Sequence, residues 1–316
     1  MKTFHDLYPS IISLENLFES WQEFKYRKRK KPDVKLFERY LEDNLFSLHK
    51  ELKNKTYRHD DYTSFYITDP KLRHIHKAVV RDRVVHNAVY RILYPIFDAS
   101  FIYDSYSCRI GKGTHIAVRR LENFARKVGR NYTGPCFVLK CDVRKYFDSV
   151  DHKVLKEIIN RRVKDENVLW LINGIIDSFK VKGKTNSFCH SESPIRPRTG
   201  FDSESILAGS QIKSGMTKKQ EEKGMPIGNL TSQLFANIYL NELDQFVKHD
   251  LQIKYYLRYC DDFVILSDNI GYLKSICAEI DYFLKENLKL SLHPQKVTIR
   301  KFREGIDFLG YVVLPA

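Results

Sequence analysis

The chain has little of what builds extracellular or membrane scaffolds. Its six cysteines (Cys108, Cys136, Cys141, Cys189, Cys260 and Cys277) are scattered along 316 residues and form no C-x-x-C pair. That scatter points to neither a zinc ribbon nor a disulfide framework, and a reducing, cytoplasmic setting is expected. No segment approaches the roughly 18 apolar residues of a spanning helix. The stretch MKTFHDLYPSIISLENLFESW carries acids where a secretory signal would be unbroken apolar. Long Gln, Asn, Pro or Gly tracts are missing, and so is any internal repeat, which argues against wholesale disorder. Acids are also scarce: 39 Asp and Glu face 53 Lys and Arg, for a net charge of +14. A surplus of that size points to a polyanionic partner, and with no membrane segment in view that partner is nucleic acid.

The residues present are sufficient for a real core, since 43% are hydrophobic. The length fits one large domain or a few subdomains sharing a core. Residues 13–57 read as helices, with Leu14, Leu17, Phe18, Trp21 and Phe24, then Val34, Phe37, Leu41, Leu45 and Leu48, at helical spacing. Between these two sets lies Lys25-Tyr26-Arg27-Lys28-Arg29-Lys30-Lys31, which reads either as a solvated helix face or as a phosphate-contacting patch. Tyr62–Thr68 alternates like a strand before a turn at Asp69-Pro70, and the pattern is helical again from Asp82 to Tyr94. A basic glycine-containing loop, Ser107–Gly113, feeds a helix over 114–128. Phe137–Val143 reads as a buried strand, 151–161 and 166–180 as helices, and 230–248 as a strong helix. Residues 253–268 read as two strands around a tight turn, 272–288 as a helix, and 289–315 as three short strands. Residues 182–223, with prolines, glycines and many serines, break the periodicity and read as a long loop or insertion. The class is α+β, without regular βα alternation.

Two segments place carboxylates where they are costly. One apolar run ends in Asp142; another, Tyr255–Leu266, holds Asp261 and Asp262 side by side between apolar strands. Adjacent acids are common at surface turns, and that reading stands for the pair alone. A buried pair must instead be paired, protonated or metal-bound, and a divalent cation relieves both burial and mutual repulsion. Three hard oxygen donors suit two Mg²⁺ ions, the arrangement in-line phosphoryl transfer needs. A third segment, Gly224–Leu240, sets a glycine-containing turn directly before a helix, where backbone can approach a ligand closely.

In this order the segments resemble the reverse transcriptases. FVLKCDVRKYFDSV is similar to the family's motif A, GMPIGNLTSQLFANIYL to motif B, and Tyr259-Cys260-Asp261-Asp262 to the Tyr-x-Asp-Asp of motif C. LSLHPQKVTI resembles motif D and Phe308-Leu309-Gly310-Tyr311 the primer grip, motif E. The resemblance implies a right-hand polymerase fold, with an antiparallel palm sheet packed on helices, acting as an RNA-directed DNA polymerase on dNTPs. It assigns 1–60 to an N-terminal helical extension, 61–134 to fingers, and 135–181 with 224–300 to palm. Residues 182–223 are then an insertion, and 301–316 the primer-grip strands and chain end.

By position, Asp142, Asp261, Asp262 and the Val143 carbonyl match the metal ligands, and Lys296 matches a proton donor to the leaving pyrophosphate. Phe147 falls where the family places its steric gate against a ribose 2′-hydroxyl. Lys71 and Arg73 match triphosphate-holding residues, and Arg109 a template-contacting one. Phe308, Leu309 and Gly310 would meet the primer, and Ile227, Gly228 and Gln233 would lie near the nascent base pair. Solvated surface positions are the alternative for Lys296 and the basic fingers residues. The form Ile-Gly-x-x-x-Ser-Gln at 227–233 resembles the diversity-generating retroelement enzymes, which copy a template RNA into cDNA with errors at template adenines. That resemblance implies a small basic helical accessory protein as partner, beside template RNA and primer or cDNA. A retron-like or defence-associated enzyme, or a non-catalytic RNA-binding fragment, are the other readings. The sequence stops five residues after Tyr311, which leaves no room for the helical thumb of the family; truncation or a partner replacing the thumb is the expectation.

Overall fold

The computed structural model describes residues 2–68, 72–179 and 222–315. Four helices lead: α1 (Tyr8–Ile12), α2 (Leu14–Lys25), α3 (Pro32–Arg39) and α4 (Leu41–Lys53). Ser13 starts α2 by accepting from the Asn16 N–H at 3.1 Å. Leu17, Trp21 and Phe24 recur along one face of α2 and are buried. That face packs along α5 (Val80–Asp98). The pairing is fixed at its polar margin, where Asn16 donates to the Ala88 carbonyl at 3.2 Å and Arg91 pairs with Glu19 and Glu23. A hairpin precedes α5: β1 (Thr63–Ile67) pairs antiparallel with β2 (Arg73–Lys77). The sequence pattern does not announce β2, because both faces of the hairpin are largely exposed and no apolar alternation marks it. The basic run 25–31 is the connector from α2 to α3, not a helix face.

After α6 (Thr114–Val128) come β3 (Phe137–Asp142), α7 (Tyr146–Ser149), α8 (His152–Asn160) and α9 (Glu166–Asp177). The expected insertion 182–223 lies outside the described residues except for its end, where the Glu222 carbonyl accepts from the His152 N–H at 3.1 Å and Lys223 bridges Asp151. Then follow α10 (Leu230–Gln245), β4 (Tyr256–Tyr259), β5 (Asp262–Ser267), α11 (Ile270–Leu288), β6 (Thr298–Lys301), β7 (Ile306–Phe308) and β8 (Tyr311–Val313). A π-helical turn, Phe246–Asp250, extends α10.

The central sheet has the order β4-β5-β3-β6. All its pairings are antiparallel. Leu139, Cys141, Phe263 and Ile265 face the main core with the inner sides of α10 and α11. Val138, Val264, Leu266 and Leu257 face a second cluster under α6 and the β7–β8 hairpin. Both faces are covered, which is why β3 and β5 read as unbroken apolar runs rather than alternating ones. Among the described residues no helix is long and apolar enough to cross a membrane.

A buried ion pair ties the sheet to its surroundings. Arg258 on β4 and Asp244 on α10 are both 0% exposed in their side chains and meet at 2.6 Å. Tyr256 also donates to Asp244 at 2.7 Å, and Arg258 reaches the Asn237 side chain at 3.2 Å and the Cys260 carbonyl at 3.1 Å. The backbone of Arg258 pairs with Asp104 and Tyr106, and Asn237 donates to the Ser107 carbonyl at 2.9 Å. Arg258 thus joins α10 and the β4–β5 turn through its guanidinium and the loop before α6 through its backbone. Removing one partner of such a pair strands the other charge. Arg258→Met is expected to lower stability by about 3–5 kcal/mol in urea unfolding, more than Asp244→Leu combined with Arg258→Met.

A second buried polar cluster lies where the α4–β1 connector crosses α5. The Nε2 atoms of His59 and His86 are 3.1 Å apart, His59 Nδ1 is 3.5 Å from Asp82, and Tyr57 donates to Asp82 at 2.9 Å. Burial, then the charges of His59 and Arg83, hold His86 well below the ordinary imidazole range. The unfolded chain therefore binds a proton that the native chain refuses. Stability should be full above the unfolded value near 6.5 and fall below it, by at most about 1.4 kcal/mol per pH unit for this group. Urea midpoints measured from pH 7.5 to 5.5 should show that slope, and His86→Leu should flatten it.

Candidate active site

The sheet registers bring the three predicted carboxylates to one edge. Asp142 ends β3 directly opposite Asp262, the first residue of β5. Asp261 sits beside it in the two-residue turn from Tyr259 to Asp262. Cys260 holds that turn with φ of 55°, a left-handed conformation costly for a residue with a Cβ. The Cys260 carbonyl is held by Arg258, and the Asp261 carbonyl accepts from the Val143 N–H at 3.3 Å. Val143 is itself buried and bridges Leu292, while the Asp142 carbonyl accepts from the His293 N–H at 2.8 Å. Motif D residues thus pin the chain on both sides of Asp142.

These carboxylates feel one another. Burial, then the charges of Asp261 and Asp142, push Asp262 up to about 6. Burial is also the main cause that raises Asp261. Lys296 lies at the same edge, with its ammonium 2.9 Å from Asp142 Oδ2 and its side chain 50% exposed. The hydrogen bond to Asp142 raises Lys296 above the ordinary lysine value, so it is protonated at neutral pH. Among the described residues no group of three or more His, Cys, Asp or Glu side chains forms a ready metal-holding cluster. The donor set nonetheless fits divalent cations: hard carboxylate oxygens from two facing strand ends, mutually repelling and partly desolvated.

The other predicted residues fall unevenly around this edge. Phe147 lies in α7, half-buried, edge-on to Tyr146 at 5.3 Å, and its carbonyl accepts from the Met225 N–H at 2.6 Å. Motif A and the turn before α10 are therefore joined at the backbone. Ile227 is half-buried and its carbonyl accepts from the His76 N–H at 3.0 Å. Gly228 has φ of 112°, and a Cβ there would meet Ile75 Cγ2 at 3.0 Å, so the turn needs glycine on both counts. Gln233 is exposed on α10 and its neighbour Ser232 is buried. Arg73 is exposed at the start of β2, and Lys71 lies outside the described residues.

Arg109 is tied into the fold at the loop after α5. Its guanidinium donates to Asp98 at 2.7 Å and to the carbonyls of Ile102 and Ser105 at 2.7 and 3.0 Å, and it is almost buried. Its Nε and one amino group thus help to hold the loop after α5. Phe308 is fully buried beneath the β7–β8 hairpin, while Leu309 and Gly310 form its turn with φ of 55° and 84°. A leucine held left-handed at a hairpin tip is strained, and such strain collects at functional sites.

Sequence reasoning missed several positioning residues. Asn229 occupies the N-cap of α10 yet makes no side-chain cap there. It spends its amide on β2 instead, donating to the His76 carbonyl at 2.8 Å and accepting from the Ala78 N–H at 3.4 Å. Thr114 donates to the Tyr259 hydroxyl at 3.3 Å, and His115 meets the Tyr311 hydroxyl at 3.4 Å, so the start of α6 touches both the carboxylate turn and the last hairpin. A charged residue three places before an acidic pair was the visible signal for Arg258; the others carry none.

Comparison with known proteins agrees with this geometry. The family model described as Reverse transcriptase (RNA-dependent DNA polymerase) matches residues 67–313. Protein YkfC of Escherichia coli (strain K12) is 28% identical over 273 residues, covering 76% of this chain and 63% of its own length. The Arabidopsis thaliana protein named Nuclear intron maturase 1, mitochondrial, is 28% identical over 214 residues, 61% of this chain and 29% of its own. Group II intron-encoded protein LtrA of Lactococcus lactis subsp. cremoris is 25% identical over 218 residues, 68% of this chain and 29% of its own. Apo telomerase from Candida Tropicalis has the same fold, at a TM-score of 0.54 and 14% identity over 82% of this chain and 48% of that one. So does the Candida Tropicalis telomerase solved with a TWJ fragment of telomeric RNA, at 0.52 and 13% over 85% and 47%. The chain thus spans less than two thirds of the length of these relatives, and with the family model covering most of it, the chain belongs to the reverse transcriptase family.

Proposed function

We propose that this chain is an RNA-directed DNA polymerase that extends a primer into cDNA along an RNA template. The observation that carries the reading is the register that sets Asp142 against Asp262, with Asp261 in the adjoining turn and Lys296 at the same edge. Asp142, Asp261, Asp262 and the Val143 carbonyl would hold two Mg²⁺ ions, which when bound activate the primer 3′-hydroxyl and stabilise the leaving pyrophosphate. Lys296, protonated and half exposed, holds the proton that the pyrophosphate takes up. Lys71 and Arg73 grip the triphosphate from the β1–β2 side, and the Leu309-Gly310 turn meets the primer. Phe147 crowds the sugar position and excludes a 2′-hydroxyl. Ile227, Gly228 and Gln233 border the nascent base pair, their turn held to β2 by His76 and Asn229.

The finer reading is a diversity-generating retroelement enzyme, supported by Ile227 and by Ser232-Gln233. An apolar Ile227 offers no hydrogen bond near the template base, and one such bidentate contact is worth ~1–3 kcal/mol of discrimination. Template RNA and a small basic helical accessory protein are the partners this reading carries. A second reading, an intron-type enzyme, is favoured by the similarity to the intron maturase and to LtrA. Primer extension on a defined RNA with Mg²⁺ and dNTPs, followed by product sequencing, separates them. Errors concentrated at template adenines support the retroelement enzyme, and uniform fidelity supports the intron type. Asp261→Ala is expected to cut synthesis about a thousandfold, roughly 4 kcal/mol of lost charge stabilisation, and to leave salt-sensitive RNA binding in place. Undiminished synthesis would overturn the carboxylate assignment. Phe147→Ala should raise ribonucleotide incorporation about tenfold, roughly 1.4 kcal/mol, read by alkaline cleavage of the product.

A further inference from the structure

The connector from α2 to α3 concentrates cations, most of which have no acidic partner among the described residues. It is a tight turn, with the Lys28 N–H donating to Lys25 at 2.9 Å, the Lys31 N–H to Lys28 at 3.0 Å, and Arg27 at φ of 58°. Tyr26, Arg27, Arg29, Lys30 and Lys31 are exposed on it. The acids nearby are already engaged: Glu38 with Lys25 and Arg29, Asp33 with Lys77 and Arg83. Among the described residues, Arg27, Lys28, Lys30 and Lys31 have no acidic partner.

Two further observations mark the turn as more than a solvated face. Lys28 Nζ and the Arg83 guanidinium both lie over the Phe24 ring, at 4.6 and 4.7 Å from its centroid, so two cations share one aromatic ring. Burial, then the charges of Arg83 and Lys31, lower Lys28 below the ordinary lysine value, and Arg83 Nε is buried with no hydrogen-bond partner. An anion at this place would relieve that repulsion. Tyr26 is 66% exposed, and the Arg27 guanidinium lies 5.1 Å from its ring centroid. A cationic track beside an exposed aromatic is how single-stranded nucleic acid is held, by its phosphates and by base stacking.

We propose that the 26–31 turn, backed by Arg83, binds the phosphate backbone of single-stranded RNA at a site separate from the strand-end carboxylates. The charge cluster stands by itself; the choice of RNA as the polyanion rests on the polymerase reading. The turn lengthens the RNA contact of the chain without taking part in synthesis.

The test uses the full chain carrying Arg27→Ala, Lys30→Ala and Lys31→Ala together, all at exposed positions. Binding of a labelled, unstructured RNA about 20 nucleotides long is followed by anisotropy across a salt series. Kd should rise about tenfold, and the slope of log K against log salt should fall by about 2, since each single-strand phosphate contact contributes ~0.7. Arg27→Lys with Lys30→Arg and Lys31→Arg should restore most of both. A control with the same change in net charge, Lys127→Ala, Lys164→Ala and Lys274→Ala, should leave the affinity near wild type. Unchanged Kd and slope in the first variant, or equal losses in the control, overturn the proposal. So does a loss confined to duplex RNA, or to vesicles containing phosphatidylserine. Primer extension on a short, saturating template–primer is measured on the same proteins. Lost RNA binding in a chain that makes no DNA would retain this site and sink the polymerase reading. Intact RNA binding in a chain that does make DNA would do the reverse.

Discussion

The Arg258–Asp244 pair is the constraint on which the carboxylate edge depends. A fully buried guanidinium is tolerable only when its donors are met, and here they are met by Asp244, Asn237 and the Cys260 carbonyl. The last of these matters most for chemistry. The turn that carries Asp261 contains a left-handed Cys260, a conformation with its own cost, and Arg258 supplies a fixed donor against it. The same residue's backbone accepts the loop before α6, whose first residues touch Tyr259 and Tyr311. Helix, turn and loop are thereby set by the side chain and backbone of one residue rather than by apolar packing, which is nondirectional and would allow them to slide.

Around that anchor the remaining parts are linked mainly through backbone. Met225 meets Phe147, Ile227 meets His76, and Arg144 and Asp142 meet Ser291 and His293. Segments far apart in sequence are thus joined by main-chain hydrogen bonds. Main-chain bonds fix position to within tenths of an ångström and do not depend on side-chain rotamers. In-line displacement has little tolerance for misplacement, and this wiring suits it. The side chains left at the edge, Asp142, Asp261, Asp262 and Lys296, then carry the charge.

Much of this was legible in the sequence. Burial on both faces makes β3 and β5 read as apolar runs, and an acid ending such a run is conspicuous because it is expensive. The helices α2, α6, α8, α9 and α11 follow from their spacing, and the two-residue turn at Cys260-Asp261 from the pair of short strands around it. The β2 strand was not legible, since its faces are mostly exposed and it carries no alternation. The contacts of Arg109 with Asp98 and the Ile102 carbonyl were not legible either, because a sequence does not reveal which acid or carbonyl a guanidinium will reach. The bond from Asn229 to the β2 backbone carried no sequence signal.

Composition, periodicity and the order of the acidic segments therefore determined the class of fold and pointed to a polyanionic partner and to the three carboxylates. These properties are local: each is written in the chemistry of a few neighbouring residues. Which side chains share an edge, which cations are neutralised and which remain unpaired belonged to the tertiary structure alone. Those outcomes depend on distances between residues far apart in the chain. Lys296 reaches Asp142 across 154 positions, and Asp33 neutralises Arg83 while Lys30 and Lys31 have no acid among the described residues. Coulomb energy falls off with separation in space and not in sequence, so charge pairing was decided only when the chain closed on itself.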